Sequence, residues 1–196
     1  MSVTEILGFV TGALCVVLVI RRNIWNWPAG LANNGFYLVL FFQAGLYADA
    51  GLQIVYLALG AYGWWAWLHG GVDRSPLDIR RTLPREAVVL VTITVVGTLA
   101  LAILLRSVTD STVPLADGLT TTLSLVAQWM LTRKLLENWW VWIVADVLYV
   151  GLYIYKDLRL TAVLYAVFLV LCVLGLRAWR RVMPAEAETP AALATA

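Results

Sequence analysis

Seven apolar runs of roughly 20 residues, each parted from the next by a short polar break, leave this chain very few folds. Hydrocarbon offers no water to pair with backbone N–H and C=O groups. A spanning segment therefore satisfies its own backbone as a helix, or joins a closed barrel. Runs near the ~20 residues needed to cross a bilayer core read as helical spans. We place them at 3–20, 26–43, 48–68, 87–105, 115–132, 138–155 and 160–178. The composition, 62% hydrophobic and 13% charged, sits far from the roughly 25% charge of soluble domains. The expected class is an all-α integral membrane protein in a lipid bilayer. No nucleic-acid partner is expected.

The first run has no basic leader, and Arg21 and Arg22 follow it. It is therefore expected to remain as a span rather than be cleaved. Eleven of the fourteen Lys and Arg fall after spans 1, 3, 5 and 7; only Arg106, Lys156 and Arg159 fall on the other side. The positive-inside rule then predicts an outside N-terminus and a cytoplasmic C-terminus. Cys15 and Cys172 lie within apolar runs and read as small buried residues. No Cys/His cluster of zinc type is present, and His69 at a span end reads as interfacial. No cofactor or metal is expected. Residues 183–196, rich in alanine and proline, read as a disordered tail.

Shifted by 112 positions without gaps, the chain matches itself. Arg21 meets Arg133, Asn26 meets Asn138, Trp27 meets Trp139, and Tyr37 meets Tyr149. Leu46 meets Leu158, Ala50 meets Ala162, and Leu52 meets Leu164. Gly63, Ala66 and Trp67 meet Gly175, Ala178 and Trp179. Spans 1–3 thus correspond to spans 5–7, and span 4 has no counterpart. An odd linker restores direction, so the expected arrangement is two parallel three-helix repeats joined by a linker helix. The expected segments are a first repeat at 1–68, loop and linker at 69–114, a second repeat at 115–182 and a tail at 183–196. Such repeats are a transporter design with a site near the bilayer midplane between them.

Polar and aromatic residues run in stripes at helical spacing. Span 6 carries Trp139, Trp142, Asp146, Tyr149, Tyr153 and Lys156 on one face. Span 2 carries Trp27, Gly30, Asn34, Tyr37 and Phe41. Span 3 has Asp49, Gln53, Tyr56, Gly60, Gly63 and Trp67; span 7 has Thr161, Tyr165, Phe168, Cys172, Gly175 and Trp179. Span 5 adds Thr121, Ser124 and Gln128, whereas span 1 is nearly bare, with Gly8 and Gly12 suited to close helix packing.

Asp146 lies deep in its span, and an intramembrane carboxylate marks a pathway or site by default. A hydrogen bond between helices is the competing reading. Membrane-edge anchoring competes for Trp25, Trp27, Trp139 and Trp140. Trp64, Trp65 and Trp67, at a span end, read as belt and packing. Aromatic faces with a carboxylate suit a flat cationic ring. Asn33, Asn34, Gln53 and Gln128 add donors and acceptors for hydroxyl or amide groups. A vitamin or nucleoside with a positive aromatic ring is the ligand these stripes suggest. Lys156 and Asp157 read either as gate residues or as a solvated turn.

The stretches WPAGLANNGFYLVLFFQAGLYADAGLQIVYLALGAYGWWAW at 27–67 and QWMLTRKLLENWWVWIVADVLYVGLYIYKDLRLTAVLYAVF at 128–168 resemble the PnuC family of bacterial vitamin transporters. That resemblance implies a SWEET-like 3+1+3 fold, usually a homotrimer with one pathway per protomer, in the bacterial inner membrane. It implies facilitated diffusion of nicotinamide riboside without ATP or a coupling ion, made unidirectional by phosphorylation inside the cell. Carried over by position, it implies substrate contacts from Trp27, Asn33 or Asn34, Gln128, Trp139, Trp142 and Asp146. Together with the stripes, the candidate substrate-binding set is Trp27, Asn33, Asn34, Tyr37, Gln53, Tyr56, Gln128, Trp139, Trp142, Asp146 and Tyr149. Related subfamilies carry thiamine, riboflavin or deoxynucleosides, and thiamine is the alternative substrate. An intramembrane enzyme using Asp49 and Asp146 is the remote alternative, without a nucleophile, metal motif or phosphate loop to accompany them.

Overall fold

The structure is a computed structural model and describes residues 3–43, 45, 47–109, 112–155, 157 and 159–183. Expectations placed on Leu46, Lys156, Leu158 and the tail beyond Met183 lie outside the described residues. The described chain is helical: α1 (Val3–Ile20), α2 (Asn26–Gln43), α3 (Tyr47–His69), α4 (Pro84–Val108), α5 (Pro114–Thr132), α6 (Asn138–Tyr155) and α7 (Arg159–Val182). A single 3-10 turn, Val72–Arg74, follows α3. The one extended pairing among the described residues is an isolated bridge between Arg80 and Leu135.

Among the described residues, α1, α2 and α6 have the expected bounds. α4 starts three residues before the apolar run suggests. Its first turn is polar but well capped: Pro84 needs no N–H partner there, and a Glu86 carboxylate oxygen accepts from the Leu83 N–H at 3.0 Å. Glu86 is also paired with both terminal nitrogens of Arg80 at 2.7 Å. α7 likewise runs past its apolar part to carry Arg180 and Arg181 in its last turn, cations that favour a helix C-terminus.

Contacts divide the chain into two units, one of residues 1–78 with 131–134 and one of 79–130 with 135–196. The first holds α1–α3 and the second α4–α7. Within the first, α2 packs on α3 and on α1; within the second, α6 packs on α7. α4 and α5 cross closely in the second unit. A Cβ on Gly118 would lie 2.9 Å from the Thr98 carbonyl oxygen and 3.1 Å from the Ala102 nitrogen.

Segments 112 residues apart share local geometry. The turn into α2 bends at Arg22 (φ 55°) and the turn into α6 at Lys134 (φ 47°), 112 residues on. Gly45 (φ 75°) and Asp157 (φ 55°) stand at the same offset after the two helices. At the starts of α2 and α6, Asn26 Nδ2 donates to the Asn23 carbonyl at 2.7 Å and Asn138 Nδ2 to the Leu135 carbonyl at 2.6 Å. The Trp27 and Trp67 rings meet edge to face at 5.3 Å and 89°, Trp139 and Trp179 at 5.4 Å and 89°. The matched residues of the sequence are therefore those that shape the backbone and lock one helix against the next.

Outside these contacts the helices are coated with exposed apolar side chains. α4 shows Val88, Val91, Val95, Leu99 and Ile103, and the other helices show Val10, Phe36, Ile54, Val144 and Val170 among others. Exposed apolar surface on this scale requires an apolar surrounding. By length and composition alone, Pro84–Val108 and Thr161–Val182 are long and apolar enough among the described helices to cross a membrane.

Candidate functional site

The second unit holds the one deeply buried carboxylate of the predicted stripe. Asp146, midway along α6, is buried, and the Cys172 thiol of α7 donates to its Oδ2 at 3.4 Å. No cation pairs with it among the described residues. A buried carboxylate left with one weak donor is costly, and either a proton or a partner of opposite charge relieves that cost. One and two turns along the same face, Tyr149 and Tyr153 stack at 5.9 Å and 14°. Tyr165 of α7 closes on both, at 4.6 and 5.1 Å between centroids. Phe168 meets Tyr165 at 5.9 Å. The Ser124 hydroxyl of α5 lies 3.4 Å from the Tyr149 hydroxyl. Carboxylate, phenol rings and hydroxyls thus come together on α5, α6 and α7. Trp142 and Gln128, also predicted, are half-buried on α6 and α5.

On the corresponding face of the first unit, Asp49 at the start of α3 is exposed and the deeper residues are neutral. Asn34 occupies the place of Asp146, Gln53 that of Tyr165 and Tyr56 that of Phe168; all three are half-buried. Tyr37, the counterpart of Tyr149, stacks on Phe41 at 5.5 Å. Asn33 is engaged otherwise: its Nδ2 donates to the Thr11 hydroxyl of α1. Thr11 escaped the sequence reading, since span 1 carried no stripe to draw attention to it.

Trp27 and Trp139 are placed differently from the expectation that they offer ring faces to a ligand. Each is sealed, 3% and 2% exposed, with the outer edge of its ring lodged where a Cβ would stand on Gly63 or Gly175. The rings are occupied by packing. Their indole nitrogens nonetheless lie buried without a hydrogen-bond partner. Trp67 is core as well, donating from Nε1 to the Leu131 carbonyl at 3.0 Å, while Trp64, Trp65, Trp25 and Trp140 are exposed as belt residues would be.

The RKLLEN segment between α5 and α6 makes its contacts separately in each unit. In the first unit, Lys134 Nζ lies 4.5 Å over the Trp67 ring and donates to the Leu77 carbonyl at 2.6 Å. Burial lowers the Lys134 pKa, Asp78 opposes that shift and Arg22 adds to it. Arg133 donates to the Tyr62 hydroxyl at 2.8 Å. In the second unit, one Glu137 carboxylate oxygen accepts from both the backbone N–H and the hydroxyl of Thr82 at 2.8 Å. The Leu136 N–H donates to the Arg80 carbonyl at 2.9 Å.

With this geometry in hand, comparison with known proteins settles the class. The family model described as nicotinamide mononucleotide transporter matches residues 2–181. The chain belongs to that family.

Among curated members, it is 27% identical to the nicotinamide riboside transporter PnuC of Escherichia coli K12, covering 91% of this chain and 85% of that one. It is 28% identical to the riboflavin/roseoflavin transporter RibM of Streptomyces davaonensis, over 90% and 84%. A crystal structure of the vitamin B3 transporter PnuC shares the fold, with a TM-score of 0.66 at 28% identity over 89% of this chain and 79% of that one. As a member of this family the chain is a membrane transporter and not an enzyme, which removes the reading of Asp49 and Asp146 as a catalytic pair.

Proposed function

We propose that this transporter carries nicotinamide riboside by facilitated diffusion. The observation that carries the reading is Asp146, a buried carboxylate with no cationic partner among the described residues, set beside a cluster of aromatic rings. Nicotinamide riboside brings a pyridinium, an amide and ribose hydroxyls. The pyridinium supplies the missing countercharge to Asp146 and a flat face for Trp142 and Tyr149. Gln128 and Ser124 suit its amide and hydroxyls. In the first unit, Asn34, Tyr37, Gln53 and Tyr56 are the neutral members of the candidate set. Trp27 and Trp139 then act as walls behind these faces, and Asn33 as a tie to α1.

The likeness to PnuC proteins supports this substrate, and the likeness to RibM keeps a neutral vitamin as the second reading. Thiamine, another cationic aromatic, satisfies the same carboxylate. The proposed topology is SWEET-like: two parallel three-helix repeats, 1–68 and 115–182, with α4 as linker. The N-terminus is outside and the C-terminus cytoplasmic, in the bacterial inner membrane, as the charge bias supports. A homotrimer with one pathway per protomer completes the proposal.

Calorimetric titration of the purified protein with nicotinamide riboside, thiamine, riboflavin and thymidine tests the substrate. Selective binding of nicotinamide riboside is expected; selective binding of riboflavin or thiamine replaces it. With the membrane potential clamped at zero, uptake into liposomes is expected to stop at equal concentrations and to ignore imposed proton or sodium gradients, because no chain of ionisable residues crosses the spans among the described residues. Accumulation driven by either gradient contradicts facilitated diffusion.

A further inference from the structure

We infer that Cys172 is a positioning residue that aims Asp146 and so sets the preference for cationic over neutral rings. This rests on the substrate reading above. The two side chains face each other from adjacent helices, Sγ to Oδ2 at 3.4 Å, and both are buried. A carboxylate accepts through about four lone-pair positions. One thiol hydrogen bond fixes its rotamer while leaving the other oxygen for a ligand. A thiol is a weak donor, so it orients the anion without competing strongly with an incoming cation.

The other unit supplies an internal control. At the equivalent positions stand Asn34 and Gly60, 112 residues earlier, so the carboxylate and the thiol are absent together. The space beside Gly60 is taken instead by Leu31, whose Cδ2 would lie 2.9 Å from a Cβ there. Its counterpart in α6 is Ile143. The scaffold is shared, and the donor appears only where there is an anion to aim. Cys172 is thus tied to the chemistry of Asp146 rather than to the packing that both units require.

The test compares nicotinamide riboside with its dihydro form, which has the same shape and a neutral ring, by calorimetry on the full-length protein. Cys172→Ala is expected to weaken binding of the cationic form about threefold to tenfold and to leave the neutral form unchanged. In an Asp146→Asn background the same change is expected to add nothing. Cys172→Ser keeps a donor and is expected to keep the preference for the cation; it carries the test alone where the alanine variant does not fold. Equal losses for both ligands, the same loss in both backgrounds, or loss of the preference in Cys172→Ser overturns the inference. Wild-type protein that binds neither form overturns the substrate reading instead. Thiamine and riboflavin then serve as the cationic and neutral probes of the thiol.

Discussion

Replacing Gly175 with alanine is expected to destabilise the protein by about 2–3 kcal/mol, a large effect for one methyl group. A Cβ at that position runs into three ring atoms of Trp139. The ring has no room to retreat, since Trp179 meets it edge to face at 5.4 Å. A flexible side chain would swing away; a sealed indole must move with its helix. Thermal unfolding of the detergent-solubilised protein measures the loss. A second substitution, Trp139→Phe, shortens the ring and is expected to restore part of the stability of Gly175→Ala, while lowering it when made alone. Unchanged melting of Gly175→Ala would mean that the notch does not hold the helix pair together. The same experiment at Gly63 and Trp27 asks whether the first unit relies on the same lock.

Asp146→Ala is expected to weaken binding of nicotinamide riboside by more than about tenfold, roughly 1.4 kcal/mol. The loss is that of the countercharge to a pyridinium in a site with little water. Because the effect is one of charge, riboflavin, which is neutral, is expected to respond far less. Calorimetric titration of both ligands against wild type and variant separates the cases. Unchanged affinity for the cation would return Asp146 to a structural role between α6 and α7.

Much of the helical layout was legible because lipid permits so little else. Asn26 and Asn138 mark helix starts, and both bond back to the carbonyl three residues earlier. The start of α4 was not legible from hydropathy. Arg80, Glu86 and Pro84 extend it with polar groups that an apolar count discards. For the site, spacing told which residues share a face but not how deep each is packed. Trp27 and Trp139 therefore read as ligand faces, whereas their ring edges fill glycine notches on the neighbouring helix. The Cys172–Asp146 contact joins residues 26 apart on different helices, and no periodicity within one helix reports that. Tyr165 and Tyr153 were visible in their stripes; their closure on Tyr149 was not, since it depends on how α6 and α7 cross.

The paired tryptophan locks bear on how the carrier moves. A helix pair wedged by an indole in a glycine notch behaves as a stiff lever, with its crossing angle fixed. Interiors packed this closely switch between discrete arrangements rather than bending. Arg22 and Lys134 hold left-handed backbone at the turns into α2 and α6, just ahead of each such pair. The Lys134 ammonium, 4.5 Å over the Trp67 ring, supports the end of one such lever.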